Sequence, residues 1–291
     1  MTTSPENVKE FCRASLAREV LPEIHAMAEV LRQRHPGAVA ILAYGSCLRG
    51  VAVADTLMDF YVLTENFSGV SPNIISRFAC CVVPPNVYYA ETEFAGQRLR
   101  AKYALLPSRL FARWMTRETG NPYFWARFSQ PSALVHVRDD NIQDDVVASI
   151  SEALRTGFAN AKALTTETGA LAIWAAGFSA TYKSEFRSEK TNRAASIVSA
   201  APGYYAEAAR LLASEKPVHA NQTLRRLTGK AWSVLRLVKA AFTFQGGADY
   251  IVWKIERHSG EKIILSGWQR KHPVIAGLLL LPALLRKGAI R

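Results

Sequence analysis

From residue 6 to residue 34 apolar side chains recur at helical spacing, with Phe11, Leu16, Val20, Leu21, Ile24, Met27 and Leu31 falling near one face. This predicts a leading helix or helix pair. The period then changes: residues 38–44, 58–64, 77–83, 87–90 and 99–106 are short apolar or alternating runs punctuated by Gly, Pro and Asn. Such runs predict strands, and together a mixed sheet of four or five. Pro107-Ser108 opens a helix predicted over 109–117, which Gly120-Asn121-Pro122 ends. Beyond Asp139 helix formers take over, and 144–164, 169–180, 204–214 and 222–244 all read as helices. The expected fold class is α+β, a mixed sheet with helices followed by a mainly helical domain. The expected divisions are 1–140, 141–271 and a basic, partly apolar segment over 272–291.

With 291 residues, 49% of them hydrophobic and 21% charged, the chain has globular composition and length enough for one large domain or two smaller ones. Its four cysteines include the adjacent Cys80-Cys81, match no zinc spacing and make a poor disulfide framework. A reducing cytoplasm is the expected setting. Met1 to Lys9 is polar, so neither a secretory signal nor an Arg-rich transit peptide is evident. The net charge is +12, but residues 221–291 alone contribute 13 Lys/Arg against 3 Asp/Glu. That region holds the apolar run 274–285, flanked by Arg270-Lys271 and Arg286-Lys287 and interrupted by Pro282. A dozen residues fall short of the roughly 20 that span a bilayer. The run could lie in the interface with its cations on anionic headgroups, or pack on the core with the cations as solvated ends. It has no aromatics between its cations, so no nucleic-acid partner is expected.

The chemistry concentrates at Tyr44-Gly45-Ser46-Cys47-Leu48-Arg49-Gly50, followed by Met58-Asp59-Phe60-Tyr61-Val62-Leu63. A strand delivers Gly45-Ser46 to a tight turn where the backbone can approach a triphosphate, and Ser46 adds a hydroxyl and an N–H. Asp59 lies within an apolar strand, where a carboxylate is costly unless paired or metal-bound, and it can offer a hard oxygen to Mg²⁺. The bland alternatives are a simple turn and a strand-end Asp that caps a helix. Such nucleotidyl-transfer sites usually carry two acids alternating on one strand, but two residues after Asp59 stands Tyr61. Asp55, Glu91 or Glu93 could complete the site, or each could be a solvated surface acid. Lys102 could reach a phosphate as a point charge. Arg127, in the apolar context Trp125-Ala126-Arg127-Phe128, needs an anionic or polar partner, and Tyr182-Lys183-Ser184-Glu185-Phe186-Arg187 concentrates phosphate-binding residue types.

Taken in order, these pieces resemble the mitochondrial translocator-assembly-and-maintenance type of CDP-diacylglycerol synthase. The likeness rests on Tyr44-Gly45-Ser46, Asp59-Phe60, Lys102-Tyr103, Trp114, Arg127 with Pro131, Tyr182, Glu185-Phe186-Arg187 and the segment 192–198. Cys47 departs from the pattern, which has Gly after the Ser. The resemblance implies a nucleotidyltransferase fold and a peripheral phosphatidate cytidylyltransferase at the inner face of a membrane. It implies CTP and phosphatidic acid as substrates and Mg²⁺ as cofactor at a single strand acid, here Asp59; Asp55, four residues upstream, is the candidate second ligand by position. Tyr44, Gly45, Ser46 and Lys102 would hold the nucleotide, with Ser46, Asp59 and Lys102 catalytic. Arg127, Tyr182, Lys183 and Arg187 would hold the lipid phosphate. The oligomeric state is open, a homodimer included. Two rivals share the same cradle: a soluble nucleotidyltransferase acting on RNA, protein or a small molecule, and a non-catalytic nucleotide-binding protein.

Overall fold

The computed structural model describes residues 4–49, 57–119, 121–184, 193–243 and 266–271. The amphipathic opening forms two helices, α1 (Pro5–Leu16) and α2 (Pro22–Arg34), each beginning at a proline whose missing N–H costs nothing in the first turn. Val8, Cys12 and Leu16 of α1 and Ile24, Met27 and Leu31 of α2 form the buried stripes. The predicted strands β1 (Ala38–Tyr44) and β2 (Met58–Thr64) occur with those limits. Nearly every residue in them is buried, as expected of apolar runs in the middle of a sheet. β3 (Asn86–Phe94) and β4 (Gln97–Pro107) form a hairpin turning at Ala95-Gly96, both at positive φ, as the right-handed twist of a two-residue turn requires.

The expected strand over 77–83 is instead part of a helix, α3 (Ile74–Val82). Asn73 decides it: its side-chain oxygen accepts from the N–H groups of Ile75 and Ser76 and so starts a helical turn. A short apolar run fits either period, and Ile74, Ile75 and Phe78 face solvent while Cys80 is buried. The fifth strand is β5 (Ser132–Val137), which the pattern did not mark. The sheet order is β3-β4-β2-β1-β5, with β2 and β4 parallel and the other pairs antiparallel.

After β4 come α4 (Ser108–Trp114), α5 (Trp125–Phe128), α6 (Asp140–Lys162), α7 (Ala170–Ser184), α8 (Arg193–Ser199), α9 (Pro202–Leu211), α10 (Gln222–Thr243) and α11 (Gly267–Lys271). Helix α6 starts earlier than its apolar pattern does, because Asp139 accepts from the Ile142 N–H and caps it. One sheet face receives α2, where His35 Nε2 lies 3.0 Å from the Tyr103 hydroxyl. On the other, Tyr61 is fully buried among Phe111, Phe124 and Phe128 of the α4–α5 region. Helix α6 packs behind these, and α7, α9 and α10 follow. The buried cluster runs without a break from α1 through the sheet to α9. Helix α10 docks on the loop before β3 through Lys239, whose ammonium donates to Val83 O, Pro85 O and Asn86 Oδ1. Among the described residues no helix is long and apolar enough to cross a membrane, and the segment 272–291 lies outside them. All four cysteines are free.

Candidate active site

Pairing places four side chains in one row across the sheet. Tyr44 at the end of β1 pairs with Asp59 on β2, Asp59 with Lys102 on β4, and Lys102 with Tyr89 on β3. Register partners share a face, and neighbouring strands lie about 4.8 Å apart, so carboxylate and ammonium stem from adjacent points of the same surface. The row lies where β1 runs into the 3-10 turn Gly45–Leu48. Gly45 has φ +85, a left-handed conformation, and a Cβ added to it would lie 3.2 Å from Asp59 Oδ2. Glycine is therefore required twice, for its dihedral and for the room it leaves beside the carboxylate. Ser46 follows directly, half-buried in the same turn.

Cys47 has a physical reason to depart from the expected Gly. Its thiol is buried and donates to Tyr44 O at 3.2 Å, with the Asp59 backbone against the sulfur, so it ties the turn to both strands. Burial pushes that thiol up to about 11, which leaves it inert as a nucleophile at neutral pH.

Two residues beyond Asp59, the expected second acid position is a core position. Tyr61 is fully buried, its ring edge-on to Phe128 at 4.8 Å, and a carboxylate there would be desolvated. Its hydroxyl accepts from Arg127 Nη1 at 3.2 Å. The Arg127 guanidinium stands 4.3 Å from the centre of the Tyr123 ring and 5.5 Å from that of Tyr44. Burial raises the Tyr44 phenol well above its usual range; the Asp59 charge adds to this and Arg127 opposes it. Tyr44 thus lies within electrostatic reach of both the carboxylate and the guanidinium. Arg127 also lines a small cleft with Tyr123, Gln130 and Tyr182.

The residues present fit a magnesium ion only in part. Asp59 offers one hard carboxylate, with space kept beside it by Gly45. Two residues before it, just ahead of β2, stands Leu57, two after stands Tyr61, and among the described residues no three His, Cys, Asp or Glu side chains gather as a metal site. One carboxylate suits Mg²⁺ that arrives on substrate phosphates and keeps several waters, rather than a resident ion in a protein cage. Asp55 lies outside the described residues. Glu91 is two strands from Asp59, ion-paired with Arg100 at 3.3 Å and bonded to the Tyr89 hydroxyl, and Glu93 faces Arg98 at 3.9 Å.

Of the residues expected to hold a lipid phosphate, the structure brings Arg127 and Tyr182 together around one cleft. Lys183 is exposed on α7 and absent from that lining, and Arg187 lies outside the described residues. Trp114 packs on Phe124 and Trp232. Sequence reasoning missed Arg236 of α10, whose guanidinium lies 3.5 Å from the centre of the Tyr123 ring. Tyr123 thus carries two guanidinium neighbours, Arg127 and Arg236. A helix over 222–244 inside a basic region was legible; which of its cations turns inward depends on Tyr123, far away in the chain.

No family model matches the chain, and no curated protein does either. Among solved structures, the chain is similar to a nucleotidyltransferase-like protein from Exiguobacterium sibiricum 255-15, at 14% identity over 92% of this chain and 93% of that one. The TM-score is 0.28, too low to add weight to the geometry of the sheet and its turn.

Proposed function

We propose that the chain is a nucleotidyltransferase, and in its specific form a CTP:phosphatidate cytidylyltransferase working at an anionic membrane surface. One observation carries the reading: Gly45, left-handed and within a Cβ's width of the Asp59 carboxylate, in a row that continues to Lys102. The acceptor and the base follow from the resemblance in the order of motifs, and the membrane from the basic, apolar character of 272–291.

In this reading a phosphate oxygen of phosphatidic acid attacks the α-phosphorus of CTP. A new P–O bond forms, the bond to the bridging oxygen of pyrophosphate breaks, and pyrophosphate leaves. The attacking oxygen is already largely ionised at neutral pH, so no strong base is needed. Mg²⁺ bound with the nucleotide would offset charge on the triphosphate. Asp59 would face the metal-bearing side of the triphosphate, while the Gly45-Ser46 backbone and the Ser46 hydroxyl hold its outer phosphates. Lys102 would meet the charge that builds on departing pyrophosphate. Arg127, fixed by Tyr61 and stacked on Tyr123, would hold the second anion against the repulsion of the first, with Tyr182 across the cleft.

The test is direct. Purified protein with Mg²⁺, phosphatidate vesicles and each of the four ribonucleoside triphosphates should release pyrophosphate and form CDP-diacylglycerol with CTP. Asp59→Asn should lower the rate by about 10²–10³, typical for loss of one preorganised electrostatic group. Turnover unchanged in Asp59→Asn would remove the proposed site. A second reading is favoured by Leu57 and Tyr61 flanking the lone strand acid: a protein that binds nucleotide without turnover. CTP binding with no product on lipid, RNA, protein or small-molecule acceptors would establish it.

A further inference from the structure

A second cavity, of about 110 Å³, opens on the other side of Gln130 from the Arg127 cleft. Its wall is shared among the Gly45–Arg49 stretch, Arg18 after α1, and the start of α9 at Ala200, Ala201 and Tyr205. Two features of that wall point the same way. Two arginines, Arg18 and Arg49, line it, and among the described residues no Asp or Glu does. Tyr205 is fully buried, and its hydroxyl has no hydrogen-bond partner among the described residues while lying within electrostatic reach of Arg49.

A buried phenol without a partner is costly, and native structures retain one where something comes to meet it. A donor hydroxyl and two arginines call for a multidentate oxyanion. The cavity has room for a phosphoryl group rather than for a single water. Gly45 borders both this cavity and the Asp59 carboxylate, so an anion held here stands beside the proposed nucleotide.

We infer that the cavity between the Gly45–Arg49 turn and the start of α9 binds the phosphate of a phosphomonoester, with Arg18, Arg49 and Tyr205 as its donors. This deepens the reading above by giving the acceptor phosphate a seat, and it rests on that reading for the acceptor role; the binding itself needs no nucleotide. Arg127 would then meet the same phosphomonoester from the neighbouring cleft, which shares Gln130 with this cavity.

Titration calorimetry with inorganic phosphate, without nucleotide or Mg²⁺, tests it on the full chain. Wild type should bind phosphate. Arg49→Gln should weaken binding at least tenfold, and Tyr205→Phe about fivefold with an unchanged or higher melting temperature. A merely structural tyrosine would shift melting and leave phosphate affinity alone. Affinity equal to wild type in both variants, or no binding by wild type, overturns the site. Phosphatidate in phosphatidylcholine vesicles, and separately glycerol 3-phosphate, should displace inorganic phosphate; displacement by the soluble ester alone assigns the site to a soluble acceptor and still supports it. Displacement by CTP alone would make it a nucleotide site and overturn the proposal. Asp59→Asn should keep full phosphate affinity, which separates failure of this site from failure of the catalytic reading.

Discussion

At the residue scale, Gly45 joins backbone conformation to chemistry. Alanine there would have to hold φ +85 and place its methyl 3.2 Å from Asp59 Oδ2. Gly45→Ala should cost about 1–2 kcal/mol of stability, the usual penalty for a side chain in the left-handed region, and should also reduce nucleotide affinity. Thermal melts and a CTP titration check both effects. Arg127→Met removes the guanidinium bonded to Tyr61 and stacked on Tyr123. On the proposed reading it should raise the KM for the phosphate acceptor on the order of tenfold, the worth of one charge-assisted contact, with a smaller change in kcat. Steady-state kinetics on phosphatidate vesicles would show the split. Gly45 and Asp59 were legible in the sequence because each breaks a local rule, a glycine ending a strand and an acid inside an apolar one. Tyr205, Arg18 and Arg236 were not, since a tyrosine on an amphipathic helix looks the same whether or not its hydroxyl finds a partner.

At the element scale, local capping chemistry decides what hydrophobic period leaves open. The strand expected over 77–83 became part of α3 because Asn73 supplies two hydrogen bonds to its first turn. Asn73→Ala should destabilise the protein by about 1 kcal/mol, readable in a denaturant melt. β5 went unmarked because its outer positions are only half-buried at the sheet's edge, so its alternation is weak. β1 and β2 were legible to the residue because central strands are apolar on both faces. Docking of α2 has a pH signature. Burial, and then the charge of Arg34, pushes His35 down to about 4 from its usual 6.5, and burial lowers His136 too. A depressed imidazole binds its proton more readily in the unfolded chain. Stability should therefore be full above about pH 6.5 and fall as the pH drops toward 4. His35→Gln should flatten much of that slope in melting temperature measured from pH 7.5 to 4.5; an equal slope would show that His35 does not set it.

At the scale of the whole molecule, one continuous core ties the sheet to the helices that follow, so the cradle, the Arg127 cleft and the cavity at α9 stand on a shared scaffold. Charge is uneven across the chain, since most of the net +12 falls in residues 221–291. If 272–291 meets anionic lipid, deleting it should cut sedimentation with phosphatidate-containing vesicles severalfold, most at low salt, and leave binding of soluble CTP unchanged. Undiminished sedimentation would assign membrane contact elsewhere. The central claim, that a glycine turn and one strand carboxylate hold a magnesium-bearing nucleotide, is tested most directly by titrating CTP into wild type and Asp59→Asn, each with and without Mg²⁺. The account predicts that Mg²⁺ tightens binding to wild type at least tenfold and does nothing for the variant. Equal magnesium dependence in the two proteins would contradict it.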